Sequence, residues 1–168
     1  GVDVTLVEIE ERILKRVAAK ETSNYIRSLH VSKGVKFKEA IGLEKLKITD
    51  DEILGAYLTD GSDINVDFVI VGIGVTPNTK LAEGAKIKIN NGIFVNDMCQ
   101  TSIPNIYAAG DCTSFNYKNT LVRLESVGNA IDQAMIVAQN IMRQGRSYLP
   151  KPWFWSDQYD LKLQIAGL

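Results

Sequence analysis

Thr101-Ser102-Ile103-Pro104-Asn105-Ile106-Tyr107-Ala108-Ala109-Gly110-Asp111 is the stretch on which the reading of the fold turns. Its Ile106–Ala109 portion predicts a short strand that stops at Gly110-Asp111. Ala108, Ala109 and Gly110 are small enough to let the backbone approach a bound group closely, and Asp111 falls where the strand ends. Ligands of open α/β sheets bind outside the carboxyl ends of the strands. A carboxylate at that point accepts hydrogen bonds from a polyol. The same residues also describe a plain strand followed by an Asp-containing turn.

On the N-terminal side, Val4–Glu8 reads as a short apolar strand that ends in an acid. Tyr25, Ile26, Leu29 and Val31 fall near helical spacing within 20–32, and Lys33-Gly34 supplies the stop. Val35–Lys38 alternates like a strand. Glu44–Ile48, Ile53–Leu58 and Val66–Val71 add three strand candidates, separated by Thr49-Asp50-Asp51 and Thr59-Asp60-Gly61-Ser62, which predicts an antiparallel meander. Phe68–Val71 is wholly apolar, as expected of a central strand covered on both faces. Asn90-Asn91-Gly92 between Ile87–Ile89 and Ile93–Val95 signals a hairpin.

On the C-terminal side a helix is expected over about 126–142, with a small-residue stripe of Ala130, Ala134, Val137, Ala138 and Ile141. Pro150 and Pro152 lead into Trp153-Phe154-Trp155, and Leu163–Leu168 reads as a further strand. The chain opens on Gly1 and runs almost at once into a strand, so both ends read as cut through strands. The fold class expected is α/β: partial Rossmann-like domains with antiparallel meander inserts, truncated at both ends.

Charge and cysteine content narrow the function. Nineteen basic residues against 20 acidic ones give a net charge of −1, which offers no basis for nucleic acid as partner. No apolar run is long enough to span a membrane. Cys99 and Cys112 form no CxxC pair, and a single His leaves no obvious zinc site, so ordinary reduced thiols in a cytoplasmic protein are expected.

Three further stretches bear on chemistry. Glu8, at the end of its strand, has the position from which an acid binds a dinucleotide's ribose hydroxyls, although a strand-end Glu is equally a solvated carboxylate. Arg123-Leu124-Glu125-Ser126-Val127-Gly128-Asn129-Ala130 reads as a helix N-terminus with Ser126 as N-cap, and its free N–H groups can stabilise negative charge. Arg123 and Glu125 also read as a surface ion pair of small worth. Val71-Gly72-Ile73-Gly74-Val75-Thr76-Pro77-Asn78 places glycines at the end of the apolar run, a weak signal by itself.

Taken together, VGIGVTPN at 71–78, TSIPNIYAAGDC at 101–112, RLESVGNA at 123–130 and PWFWSDQYDLKLQIAGL at 152–168 resemble the pyridine-nucleotide-dependent flavoprotein reductases. The resemblance is to the oxygenase-coupled branch, the ferredoxin reductases of the putidaredoxin reductase and biphenyl dioxygenase reductase type, and it covers essentially the whole chain. It implies FAD and NADH as cofactors and a [2Fe–2S] ferredoxin as partner. It implies an NAD-binding part over 1–75, an FAD-binding part over 76–148 and the start of a C-terminal interface domain over 149–168. By the same resemblance Asp111, with Gly110 before it, meets the ribityl chain of FAD. Val127, with Ser126, is similar to a backbone contact to the flavin ring, and Glu8 to the ribose-binding acid. Arg16 matches a basic residue near the adenosine, Gly74 and Glu125 match positions near the nicotinamide, and Trp155 matches an aromatic where the iron–sulfur partner docks. The plain alternative for Trp155 is an interdomain core residue.

Lys118, Arg123, Arg143 and Arg146 are candidates to steer an acidic ferredoxin. No catalytic acid, base or metal is expected, because the cofactor supplies the chemistry. The chain contains no GxGxxG loop, whereas the family has two. These residues alone are therefore expected to bind FAD and NADH weakly. An inactive, cofactor-free piece that self-associates through open sheet edges and an NADH-linked disulfide or peroxide reductase stay as alternatives.

Overall fold

The computed structural model describes residues 1–167. The chain divides into two compact units, Gly1–Ile73 and the residues from Gly74 onward.

The first unit opens with β1 (Thr5–Glu8), α1 (Lys20–Ser32) and β2 (Lys36–Glu39). β1 and β2 are parallel, with Glu8 opposite Glu39, so α1 is the crossover that parallel pairing requires. Gly34 ends the helix in the left-handed region, at φ +92°. Ile26 of α1, Ile13 of the preceding loop, and Ala56 and Leu58 are the buried apolar side chains of this unit. The meander follows as β3 (Leu43–Thr49), β4 (Glu52–Leu58) and β5 (Asp63–Asn65), in spatial order β3-β4-β5. Asp50 and Asp51 both have positive φ, as a two-residue hairpin turn of this twist demands.

One expectation fails here. The third strand of the meander is Asp63–Asn65 rather than Val66–Val71. Residues 68–71 carry no regular structure, and Phe68 and Ile70 are 58% and 85% exposed. The physical reason is pairing. A strand apolar on both faces is stable only between two hydrogen-bonded neighbours, and among the described residues β1 pairs with β2 alone.

The second unit contains α2 (Lys80–Gly84), β6 (Ile93–Phe94), β7 (Thr113–Tyr117), β8 (Thr120–Val122), α3 (Val127–Ile141), β9 (Trp153–Gln158) and β10 (Leu161–Ala166). β6, β7 and β8 form one sheet, with β6 parallel to β7 and β8 antiparallel to it. β9 and β10 pair as a hairpin. The core is Val95, Cys99, Phe115, Leu124 and Tyr148, with Ala108, Tyr117, Val122, Ile136 and Val137 packed around it.

Four expectations need adjustment in this unit. The hairpin at Asn90-Asn91-Gly92 is present as a single bridge, Ile89 to Ile93, because Ile93–Phe94 takes its main pairing from β7. Ile106–Ala109 is an extended segment with one bridge, Gln100 to Tyr107, rather than a strand. β7 and β8 were not expected; they are joined by Lys118-Asn119, both at positive φ. The small-residue stripe of α3 faces inward only in part: Ala130 and Val137 are half-buried, Ala134, Ala138 and Ile141 are exposed, and the buried residues are Asn129, Gln133 and Asn140. The strand expected over Leu163–Leu168 is part of β10, which ends at Ala166, and Leu168 lies outside the described residues. The α/β class with meander inserts holds.

Gly55 of β4 packs against β5 so closely that a Cβ would sit 2.3 Å from the carbonyl oxygen of Ile64 and 3.3 Å from Cα of Asn65. Both are backbone atoms and cannot swing aside. Gly55→Ala is expected to cost about 1–3 kcal/mol, as overpacking does, read as a lowered denaturant midpoint with loss of amide protection along Gly55–Tyr57.

Candidate functional site

The second unit gathers most of the candidates. Gly110 adopts φ +88°, and its amide donates to Oε1 of Gln133 at 2.7 Å. Its carbonyl accepts from the Thr113 amide at 2.9 Å and the Thr113 hydroxyl at 2.8 Å. The same hydroxyl also lies 2.9 Å from Oε1 of Gln133. The Asp111 carbonyl accepts from Nη1 of Arg123 at 3.3 Å. The turn is therefore held on both sides of Asp111, while the Asp111 side chain is exposed.

The first turn of α3 borders that turn. A Cβ on Gly110 would lie 3.6 Å from Cβ of Ala130, an ordinary contact distance, so the left-handed backbone, not lack of space, favours glycine there. Ser126 caps the helix as expected, accepting from the Asn129 amide at 3.3 Å. Val127, the first helical residue, is exposed. Its amide and that of Gly128 precede the first intrahelical bond, which leaves free donors at the positive end of a 15-residue helix whose Ala130 borders Gly110.

Arg123 is not a free surface charge. Its side chain is 14% exposed, pairs with Glu125, and reaches the Val75 carbonyl at 3.5 Å. It thus ties the residue after Gly74 to the Asp111 turn, and it drops out of the basic group expected to steer a partner. Lys118, Arg143 and Arg146 of that group are exposed. Gly74 is itself exposed at φ +99°. Trp155 is on β9, 45% exposed, with its ring 5.2 Å from that of Trp153.

Glu8 and Arg16 belong to the first unit. Glu8 stands at the end of β1, partly buried, with Oε1 accepting from the Glu10 amide at 3.0 Å. One carboxylate oxygen thus stabilises its own turn. Arg16 is exposed. The loop between them is a built structure: Arg12 donates to the Ala18 carbonyl at 3.0 Å and to the Ser23 hydroxyl at 2.5 Å, and Glu39 accepts from the Ile13 amide at 3.1 Å.

Sequence reasoning missed Gln133 and the polar network beside it. Tyr148 donates to Oδ1 of Asn129 at 2.7 Å, and Asn129 donates to the Leu124 carbonyl at 3.0 Å. Asn140 closes the loop after α3 through Met98 and Arg146. The signal was available: positions 129, 133, 136 and 140 repeat with helical period, and three of them are amides. Buried without a partner are Nε2 of Gln133 and Nε of Arg123. A buried donor left unmet costs about 1–3 kcal/mol, and both flank the Asp111 turn. The set of an exposed acceptor, a helix N-terminus and two unmet donors fits a polyol-bearing anionic group. No cluster of residues suited to a metal ion occurs among the described residues.

These units and this turn define an α/β protein with antiparallel meander inserts. Residues 1–134 match the family model for pyridine nucleotide-disulphide oxidoreductases, and residues 153–168 match the reductase C-terminal model. The chain belongs to the pyridine nucleotide-disulphide oxidoreductase family. It is 40% identical to rhodocoxin reductase of Rhodococcus erythropolis, over 100% of this chain and 40% of that protein. A ferredoxin reductase structure from Rhodopseudomonas palustris superposes with a TM-score of 0.95 at 38% identity, covering 100% of this chain and 42% of that one. The covalent complex of putidaredoxin reductase with putidaredoxin gives 0.91 at 37% identity, over 99% of this chain and 41% of that one. The chain spans about two-fifths of the length of the relatives it matches.

Cys99 and Tyr148 sit in the core behind the network. Burial, reinforced by the charge of Asp97, pushes the Cys99 thiol up to about 11 from 9.0. Burial, with the charges of Asp132 and Cys99, pushes Tyr148 up to about 12. Both folded values lie above the ordinary ones, so the stabilisation of the neutral forms is complete at neutral pH. It is lost as pH rises from about 9 through 11 for the thiol, a loss on the order of 2–3 kcal/mol. Unfolding midpoints measured across that range should fall, and Cys99→Ala should flatten the lower part of the fall.

Proposed function

We propose that these residues are part of an NADH-dependent flavoprotein reductase that delivers electrons to a [2Fe–2S] ferredoxin in the cytoplasm. The observation that carries the reading is the Asp111 carboxylate, exposed on a turn clamped on both sides and bordered by the open N-terminus of α3. The relatives, named as reductases of rhodocoxin and putidaredoxin, support the same direction.

In this reading residues 1–75 belong to the NAD-binding part, 76–148 to the FAD-binding part and 149–168 to an interface domain. Asp111 accepts hydrogen bonds from the ribityl hydroxyls of FAD, with Gly110 allowing the close approach. Ser126 holds the helix end open so that the amide of Val127 faces the electron-rich edge of the flavin ring. Glu8 offers its second carboxylate oxygen to the ribose diol of NADH and repels a 2′-phosphate. Arg16 stands near the adenosine, and Gly74 and Glu125 near the nicotinamide. Bound FAD would take a hydride from NADH and release electrons singly to the ferredoxin. Trp155, with Trp153 beside it, offers an exposed aromatic surface to that partner.

A second reading is favoured by one observation. Phe68, Ile70 and Val71 form an exposed apolar run with unpaired backbone, the kind of edge that a second copy of the chain can cover. A cofactor-free, self-associating module would then be the state of these residues.

Incubation of the whole reductase that the first reading supposes with FAD, removal of the excess and a visible spectrum separate the two. The reductase reading expects a bound flavin band that NADH bleaches and added [2Fe–2S] ferredoxin restores. A colourless dimer would instead establish the second reading. Given flavin binding, Asp111→Ala should raise the FAD dissociation constant on the order of 10- to 100-fold, the worth of a hydrogen bond to a charged group.

A further inference from the structure

The flavin reading names the residues that touch the cofactor and leaves open what holds them. Gln133 is wholly buried on α3, 0% exposed, and lies outside the 101–112 motif that contains Asp111. Its Oε1 accepts from the Gly110 amide at 2.7 Å, and the Thr113 hydroxyl, with one proton to give, lies 2.9 Å from it. The hydroxyl in turn is 2.8 Å from the Gly110 carbonyl, so one side-chain oxygen and one hydroxyl lock the residues on both sides of Asp111. With the Gly110 amide, the Gly110 carbonyl and the Asp111 carbonyl all engaged, the peptide planes flanking Asp111 are fixed, and with them the direction of its Cα–Cβ bond. The amide nitrogen of Gln133 is beside the same turn and is buried without an acceptor. A plain core amide would have both ends satisfied. One end committed to the turn and the other unmet leaves the Oε1 contacts as the ones that hold this side chain.

We propose that Gln133, acting through Gly110 and Thr113, is a positioning residue for the flavin-binding turn. It does not touch the ribityl chain; it fixes the carboxylate that does. The inference rests on the flavin reading above. The Gln133–Thr113 pair is the device: Oε1 takes the Gly110 amide, and the Thr113 hydroxyl stands between Oε1 and the Gly110 carbonyl that the Thr113 amide also holds.

The test compares wild type, Gln133→Met, Thr113→Val and Thr113→Ser, each in the whole reductase that the flavin reading supposes. FAD is titrated into each, and hydrogen exchange at the Gly110 amide is measured without FAD. Gln133→Met keeps the shape and removes the acceptor; Thr113→Val keeps the shape and removes the hydroxyl; Thr113→Ser keeps the hydroxyl. Expected are an FAD dissociation constant raised about tenfold in Gln133→Met and Thr113→Val, one within about threefold of wild type in Thr113→Ser, and about tenfold faster exchange at Gly110 in Gln133→Met. Far-UV circular dichroism identifies any variant that does not fold, and if Gln133→Met is one, the Thr113 pair decides. Wild-type FAD binding with unchanged affinity in Thr113→Val would overturn the positioning role and leave the flavin reading intact. Equal weakening in Thr113→Ser and Thr113→Val would overturn it too, since packing rather than the hydroxyl would then matter. A wild-type protein that takes up no FAD would remove both.

Discussion

The hydrogen bond from the Gly110 amide to the buried Oε1 of Gln133, 2.7 Å long, joins the two parts of the second unit that otherwise share little sequence context. On one side is a turn with a left-handed glycine; on the other is a 15-residue helix whose inward face is built from amides. A helix that buries Asn129, Gln133 and Asn140 cannot be held by apolar area alone. Its position is set where those amides meet backbone and hydroxyl groups, and such contacts are directional where apolar packing is not. The Asp111 turn therefore inherits the register of α3: rotate the helix by one residue and Gln133, Asn129 and Asn140 all lose their partners together.

That dependence explains which parts of the structure could be read in advance. The first unit is dominated by local signals. The helix over 20–32, the Gly34 stop, the Asp50-Asp51 turn and the pairing of β3 with β4 all follow from residues near one another in the chain. Residues 68–71 could not be read correctly, because an apolar run becomes a strand only when neighbours pair with it, and pairing is a property of the sheet. The same holds for Ile106–Ala109, which has the composition of a strand and a single bridge to show for it.

The candidate site was legible where its residues are exposed and chemically marked. Asp111, Glu8 and Ser126 stand at ends of elements, and ends are announced by glycine, by acids and by capping hydroxyls. What stayed hidden was the support. Small residues on α3 suggested a face pressed against a sheet, yet Ala134 and Ala138 are exposed and the amides are inside. Hydrophobicity ranks Gln and Asn as outward-facing residues, and it ranks them wrongly wherever a backbone amide or hydroxyl waits at the right distance. Arg123 misled for the same reason. Its charge suggested surface, while its guanidinium is used to join the Val75 carbonyl, the Asp111 carbonyl and the Glu125 carboxylate.

A turn that must hold one carboxylate in one direction needs its stiffness from outside, since glycine at Gly110 gives the backbone freedom that the site cannot use. Three donors and acceptors remove that freedom: Gln133 takes the amide, Thr113 takes the carbonyl, and Arg123 takes the next carbonyl along. None of the three lies within the motif that announces Asp111 by its own exposed chemistry. Thr113 does so locally from the start of β7, while Arg123 after β8 and Gln133 in the middle of α3 arrive at sequence separations that only the folded unit brings together. The outcome is a division of labour in which the residue meeting a ligand can be exposed and mobile in principle, and is fixed in practice by buried polar groups that cannot move without unsatisfying one another.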